Sequence, residues 1–176
     1  MRALQKLLSF VFPKEPGFEN TDFEKFEDSL QNFQIFYPRH WQYEKETAVI
    51  EGAYAIVFNS STSPANMRIE VDSRIPKKFG EKDFKKRAKD EIEKPTSGIV
   101  SKAQNLKING RDCVKTEYSF TANSRKMHGE KFFIFADGRI INIFFICLDK
   151  DYDKLKRTFG YIVDSLAIKP KKMIFL

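Results

Sequence analysis

The sequence is poor in the side chains that carry most protein chemistry. Its 176 residues include two cysteines and two histidines. Cys113 and Cys147 lie far apart, which fits neither a disulfide framework nor a zinc site. His40 and His128 stand at no metal-ligand spacing, and no phosphate loop, nucleophile elbow or HExxH motif occurs. We therefore predict no catalytic residue, no metal and no cofactor, and expect that the protein is not an enzyme.

Long apolar runs are also missing. No stretch of 18 apolar residues occurs, so no transmembrane helix is expected. Residues 1–12 carry Arg2 and Lys6, but their longest apolar run is residues 10–12, and no small-x-small cleavage pattern follows. This composition does not fit a secretory signal peptide. Together with the scattered cysteines, it favours a reducing, cytoplasmic location.

Phenylalanine and positive charge are abundant by contrast. The chain has 18 Phe, most simply explained as core packing at strand positions. Its net charge of +7 attracts anionic partners. The basic residues are not interleaved with aromatic residues in any RNA-binding motif, so we expect no nucleic-acid partner. The length favours one domain with short extensions.

The chain is organised around residues 129–148. Two apolar runs, residues 132–135 and 140–148, flank Asp137 and Gly138. Asp-Gly between apolar runs is a strong hairpin signal, because both central residues of a type I′ turn need positive φ. Both alternating sets of the second run are apolar, which indicates a central strand covered on both faces.

Other periodicities predict further strands and two helices. Alternation indicates strands over residues 33–38, 48–51, 54–59, 67–75, 99–108 and 111–122. Asn109-Gly110 is a second type I′ signal, so residues 99–148 are expected to form a four-stranded antiparallel meander. Helical spacing of apolar residues predicts helices over residues 81–94 and 149–166, with a short last strand over residues 166–168.

The two ends look like extensions of this domain. Residues 1–12 fit a short helix, and the segment of residues 18–32 fits a second one, N-capped by Thr21 or Asn20, with Glu24 completing a capping box from Thr21. The last eight residues combine three Lys with four apolar side chains. We divide the chain into an N-terminal extension with short helices, a domain and a basic, apolar tail: residues 1–32, 33–168 and 169–176.

The order of several short motifs resembles the PsbP-like superfamily. These motifs are YPRHW at residues 37–41, INGR at 108–111 and DSLAI at 164–168, together with the helix of residues 81–94 and the Phe-rich hairpin. That superfamily includes photosystem accessory proteins, a Ran-binding nuclear-transport factor and small bacterial proteins. The resemblance implies an α+β fold, an α/β/α sandwich whose mostly antiparallel sheet has helices on both faces. It also implies a non-enzymatic protein that binds other proteins, but no functional residue carries over.

Two functional hypotheses follow. The first is an accessory or adaptor protein that binds another protein through the sheet or its edge. The second is a small-ligand carrier or hydrolase with a cleft between sheet and helices, lined by Tyr37, His40, Trp41, Tyr118 and His128. A basic cluster on the helix of residues 81–94 is either an anion patch or a solvated face whose lysines pair with interleaved acids. Its members are Lys82, Lys85, Lys86 and Lys89.

The termini suggest a third hypothesis, peripheral contact with an anionic membrane. Each nearby Lys or Arg is attracted to anionic lipid by about 1 kcal/mol, but the acidic residues 15–28 oppose this attraction. Packing of both ends on the domain is the simpler expectation. We therefore expect that neither the full chain nor a chain of residues 13–168 floats with anionic vesicles at low salt. Flotation of the full chain alone would contradict this expectation.

Overall fold

The computed structural model describes residues 23–46, 53–93, 99–100 and 103–169. Its strands, in chain order, are β1 Phe23–Asp28, β2 Phe33–Pro38, β3 Trp41–Glu46, β4 Ala53–Ser60, β5 Asn66–Asp72, β6 Ile99–Val100, β7 Gln104–Ile108, β8 Arg111–Ala122, β9 Arg125–Ala136, β10 Arg139–Leu148 and β11 Ala167–Ile168. The helices are α1 Glu81–Glu93 and α2 Tyr152–Asp164, and one 3-10 turn, Asp149–Asp151, precedes α2.

The strands form two sheets. The larger one has the order β3-β4-β5-β10-β9-β8-β6, with β7 also paired to β8. The smaller one has the order β1-β2-β11. Every pairing is antiparallel. The prediction of an α+β fold with a mostly antiparallel sheet is therefore confirmed.

Three two-residue turns connect the strands from β7 to β10. Asp137 and Gly138 have φ angles of 50° and 70°, and Asn109 and Gly110 have 49° and 79°. Asn123 and Ser124 close the third turn with φ of 49° and 60°. Positive φ at both central residues is the type I′ pattern, which matches the twist of the flanking strands. Both predicted type I′ turns and the meander are confirmed.

Strand β10 lies inside the large sheet and contributes to two separate clusters of buried side chains. Ile141, Ile143, Phe145 and Cys147 belong to the main core. Ile140 belongs to a second cluster, together with Phe84 of α1. Phe84 also stacks on Phe135, with ring centroids 5.6 Å apart, whereas Phe159 of α2 stacks on Phe145 at 4.4 Å. The predicted burial of both side-chain sets of β10 is thus confirmed for its first half, where Ile140 and Asn142 are buried.

Several predicted boundaries are wrong. Residues Phe23–Asp28 form β1 and not a helix, because Phe26 packs against Phe33 and Phe58 and the strand pairs with β2. The predicted strand of residues 48–51 lies outside the described residues, and the strand that pairs with β4 from the N-terminal side is β3. The predicted strand over residues 99–108 divides into β6 and β7, and β5 ends at Asp72. Residues 1–22 and 170–176, which hold the other predicted terminal elements, are outside the described range.

Arg139 connects the β9–β10 turn to the small sheet. Its side chain is 0% exposed and donates to the carbonyl oxygens of Gln31 and Lys169. Arg111, the first residue of β8, donates to the carbonyl oxygen of Ile168 at 2.9 Å. A guanidinium group presents a rigid fork of donors, which suits it to bridging carbonyl groups of two different segments. The first residues of β8 and β10 therefore join the large sheet to the small sheet through side chain–backbone bonds.

Asp72 at the end of β5 anchors α1. Its carboxylate accepts hydrogen bonds from Arg74 and, at 2.9 Å, from Arg87 of α1. Burial alone would raise the pKa of Asp72, but these arginines outweigh it and lower that pKa from 3.8 to about 2. A lowered folded-state pKa stabilises the protein above the unfolded pKa, and this contribution is lost as the pH falls towards about 2.

We expect Asp72→Asn to lower the free energy of unfolding at pH 7 by about 2 kcal/mol. The gap between wild type and variant should close between pH 4 and pH 2, because the wild-type carboxylate becomes protonated there. Urea titrations followed by the fluorescence of Trp41, the single tryptophan, measure both quantities. Asp90→Asn, an exposed change on α1, is the matched control. A gap that stays constant down to pH 2 would contradict the assignment.

Candidate functional site

A cleft of about 210 Å³ lies between α2 and the strands β7, β8 and β9. Its apolar wall consists of Leu106, Ile108, Phe132 and Val163. Its polar lining consists of Lys107, Lys115, Glu130, Lys156 and Asp164. Gly160 of α2 completes it. A concave site that combines an apolar wall with a few charged groups is the usual form of a small-ligand pocket, although this one is below the usual size.

A network of buried charges forms one side of the cleft. The Asn123–Ser124 turn pairs Glu117 of β8 with Glu130 of β9, and it pairs Lys115 with Phe132. Glu130 is only 2% exposed, and its Oε1 accepts hydrogen bonds from Lys115 Nζ at 2.7 Å and from the Tyr152 hydroxyl at 2.5 Å. Lys115 Nζ also lies 2.9 Å from Glu117 Oε1. The network therefore brings together one ammonium group, two carboxylates and one phenol.

The pKa shifts in this network keep Lys115 and Glu117 charged and Tyr152 neutral at pH 7. Burial would lower the pKa of Lys115, but Glu130 and Glu117 outweigh it and raise that pKa. Burial would raise the pKa of Glu117, but Lys115 lowers it. Burial, and then the hydrogen bond to Glu130, raise the pKa of Tyr152. None of these shifts moves a group towards neutral pH, so the network favours ion pairing and hydrogen bonding over proton transfer.

His128 borders this network without lining the cleft. Its ring stacks on Tyr152 with centroids 3.5 Å apart. Its Nε2 lies 3.9 Å from Glu117, and its Nδ1 lies 3.7 Å from Asp149. Nε2 is buried and has no hydrogen-bond partner within the described part of the chain.

The two cysteines give no support to a Cys–His nucleophile. Cys113 pairs with Ile134 on β9, six residues from His128, which is about 20 Å along a strand. Cys147 is the cross-strand partner of His128. Burial raises the pKa of both thiols to about 12, so both are protonated at neutral pH. A buried, protonated thiol is a weak nucleophile.

The other residues predicted to line a ligand pocket lie in separate environments. Tyr37 is buried and donates to Glu24 at 3.1 Å, and Trp41 is buried at the start of β3. His40 is exposed between β2 and β3. Tyr118 lies on β8, where it stacks on Phe120. None of the five predicted residues is among those that line the cleft, and their role in binding a ligand stays a prediction.

The predicted anion patch lies on α1. Lys85 pairs with Glu81 one helical turn away, as expected for a solvated helix face. Lys82, Lys86 and Lys89 are also exposed on this helix. Their binding of an anion stays a prediction. Among the residues described, no three His, Cys, Asp or Glu side chains cluster in a way that would hold a metal ion.

A second candidate surface lies on the strands β8, β9 and β10. Six half-buried apolar side chains lie there on one face of the sheet: Tyr118, Phe120, Met127, Phe144, Ile146 and Leu148. The register places Met127 opposite both Phe120 and Leu148, so the six form a continuous group across three strands. We call this group the apolar face. Described elements leave it only partly covered.

Gly129 shapes the centre of the apolar face. It pairs with Tyr118 on one side and with Ile146 on the other. A Cβ atom at Gly129 would come within 2.4 Å of the Tyr118 ring. The glycine therefore leaves the space in which the Tyr118 ring lies across β9.

A comparison with models of protein families identifies the family of the chain. The family model described as PsbP matches residues 21–168. The chain belongs to the PsbP family. The match begins before the predicted domain start at residue 33, in agreement with the pairing of β1 and β2. None of the curated proteins searched matches the chain.

Solved structures share the PsbP fold at low sequence identity. Cyanobacterial PsbP (CyanoP) from Synechocystis sp. PCC 6803 has 15% identity and a TM-score of 0.65, with 90% of this chain and 99% of that chain covered. A Bacteroides thetaiotaomicron protein has 15% identity and a TM-score of 0.62, with coverages of 84% and 49%. The Saccharomyces cerevisiae Ran-binding protein Mog1p has 9% identity and a TM-score of 0.52, with coverages of 86% and 97%. At these identities the likeness is one of fold.

Sequence reasoning missed the residues of the cleft. Lys115 and Glu117 alternate with Val114 and Thr116, which is the pattern of a solvent face, but they point towards α2. The signal that could have found them is the turn at Asn123–Ser124. A two-residue turn at this position dictates that residue 117 faces residue 130. Two carboxylates opposite each other require a cation between them, and Lys115 is the nearest one.

We expect Glu130→Gln to lower the free energy of unfolding by about 2 kcal/mol, because Lys115 keeps its charge but loses one buried partner. The double variant Lys115→Met/Glu130→Leu should recover part of the loss, since both buried charges leave together while Tyr152 loses its acceptor. Urea unfolding followed by Trp41 fluorescence provides the measurement. Glu27→Gln removes an exposed carboxylate and should change little. A wild-type unfolding midpoint for Glu130→Gln would show that the network is not stabilising.

Proposed function

We propose that this member of the PsbP family is a non-catalytic binding protein that docks another protein through the apolar face. The observation that carries the proposal is the partial exposure of six apolar side chains on one continuous part of a sheet. Contiguous apolar surface of this kind usually marks an interaction site in a folded protein. Tyr and Met are also enriched in protein interfaces.

The arrangement of helices supports this choice of surface. We infer that α1 and α2 cover opposite faces of the large sheet, as the α/β/α sandwich requires. Ile140 packs with Phe84 of α1, whereas Ile141 belongs to the core that includes Phe159 of α2. Successive residues of a strand point to opposite faces. By the same alternation, Phe144, Ile146 and Leu148 share the α1 face of β10, beyond the part that α1 covers.

Charge around the apolar face indicates the chemistry of the partner. Arg125 is exposed at the start of β9, whereas Lys131, at the boundary with α1, lies over the rings of Phe133 and Phe144 and pairs with Glu91 of α1 at 3.1 Å. The chain as a whole carries a net charge of +7. An apolar surface with an exposed arginine beside it, on a chain of positive net charge, fits a partner whose apolar patch is flanked by acidic residues, because opposite charges steer association.

The structural neighbours are compatible with a binding role. One of them is named as a Ran-binding protein. This name describes the yeast protein and identifies no partner for this chain. Within the described residues, no helix is long and apolar enough to cross a membrane. A cytoplasmic location stays part of the proposal.

Site-specific photocrosslinking in the native cell tests the proposal. A photoreactive phenylalanine analogue replaces Phe120 in the apolar face or, as the control, Leu30, which is 80% exposed elsewhere. We expect a discrete crosslinked protein from position 120 that is absent from position 30. The added change Ile146→Glu should reduce that crosslink by about tenfold, because it places a carboxylate in the interface.

The matched control for this second step is Leu30→Glu, which adds the same charge outside the apolar face. It should leave the crosslink at position 120 unchanged. Circular dichroism and urea unfolding must show that each variant is folded. Equal crosslinking from positions 120 and 30, or no crosslink from position 120, would overturn the proposal.

A further inference from the structure

The cleft between α2 and the strands β7–β9 is a separate feature from the apolar face. It has a volume of about 210 Å³ and combines an apolar wall with three lysines, one glutamate and one aspartate. A cavity of about 150 Å³ holds a benzene molecule, so the cleft has room for a compact molecule of about eight carbon atoms or fewer. Its lining is built on three strands and a helix, which are rigid elements.

Gly160 is the first observation that indicates a ligand. It lies inside helix α2, where glycine is less favourable than alanine because it loses more backbone freedom on folding. A Cβ atom at this position would meet nothing within 4 Å. Packing therefore does not require glycine there, and Gly160 has no positive φ. What its missing side chain provides is open space in the wall of the cleft.

The lysines are the second observation. The Lys115 ammonium has three N–H donors, of which two are directed to Glu117 and Glu130. Lys156 lies over the Tyr152 ring, 5.5 Å from its centroid, and its charge also acts on Glu117, whose pKa it helps to lower. Lys107, in contrast, pairs with Asp112 at 3.0 Å. Lys115 and Lys156 therefore have N–H groups that can donate hydrogen bonds to a molecule in the cleft.

The carboxylates beside the two lysines take up only part of this donor capacity: Glu117 and Glu130 use two of the three donors of Lys115. Glu130 is the buried one, and it is held by Lys115 and Tyr152. Asp164 is exposed at the end of α2. An anion that entered beside Lys115 and Lys156 would lie between two ammonium groups, while its body would cover Leu106, Ile108 and Phe132.

We propose that the cleft binds a small organic carboxylate with an apolar body. The carboxylate accepts hydrogen bonds from Lys115 and Lys156, and the body packs against the apolar wall. Gly160 keeps the space for that body open. This binding activity is independent of the docking of a protein on the apolar face.

Titration of the full ¹⁵N-labelled chain with sodium hexanoate tests the proposal by NMR. We expect saturable shifts of amides in β7, β8 and α2 at concentrations up to about 20 mM. Hexanol and hexylammonium, which keep the apolar body but not the anion, should bind at least about tenfold more weakly. Equal affinity for hexanol would overturn the assignment of a carboxylate site.

Two variants distinguish specific binding from general effects. Gly160→Leu fills the cleft and raises the helix propensity of α2, so it should abolish the shifts while the protein stays folded. Lys156→Gln should weaken binding by about five- to tenfold. Lys154→Gln removes an exposed charge from the same helix outside the cleft and should have no effect.

The results that would overturn the proposal are specific. Hexanoate shifts that persist in Gly160→Leu would place the binding elsewhere. Equal weakening by Lys156→Gln and Lys154→Gln would reduce the effect to net charge. An absence of saturable shifts in the wild-type chain would mean that the cleft takes no carboxylate of this class. Crosslinking from the apolar face would be unaffected by any of these outcomes.

Discussion

The register of β7, β8, β9 and β10 is the constraint on which the rest of the structure depends. It is set by three turns in which both central residues have positive φ. Such turns allow only two loop residues, so each strand has one permitted alignment with the next. A slip by one residue would exchange the two faces of a strand. The burial of Glu130 beside Lys115 and the partial exposure of Ile146 both follow from this single alignment.

This alignment produces an unusual distribution of polarity on the large sheet. The side towards α2 holds an ion-paired network within the main core region, with Lys115 and Glu130 next to Phe132. The side that carries Phe120, Ile146 and Leu148 is apolar but only half-buried. An ordinary solvated sheet has the opposite distribution, with apolar residues inside and polar residues outside. The ion-paired network borders the cleft, and the half-buried apolar side is the apolar face. Each departure from the ordinary pattern therefore coincides with one of the two candidate binding surfaces.

The fold could be predicted from the sequence wherever local rules decide the conformation. Asp137–Gly138 and Asn109–Gly110 place their turns because few other residue pairs tolerate positive φ. The helices around Phe84 and Phe159 follow from apolar spacing. The segment with Phe23 and Phe26 satisfied the pattern of a helix but became a strand, because pairing with β2 is a tertiary interaction that local propensity does not contain.

The candidate sites were harder to predict for a related reason. Lys115 and Glu117 look like solvent-facing residues until the position of α2 is known. Gly160 looks like a weak point in a helix until the space above it is known. His128 was noted for its chemistry, but its stacking on Tyr152 depends on how the 3-10 turn at Asp149–Asp151 orients α2. Each of these properties belongs to the contact between two elements and not to either element alone.

The small sheet has a consequence for the order of folding. It pairs Phe33 of β2 with Ile168 of β11, so its third strand comes from a part of the chain that is synthesised much later than the first two. Closing such a long loop is entropically unfavourable until the intervening residues have formed contacts of their own. The turns of the large sheet are local and can form without this closure. A growing chain would therefore assemble its meander first and complete the small sheet last, when Arg139 and Arg111 have already been positioned to receive the backbone of β11.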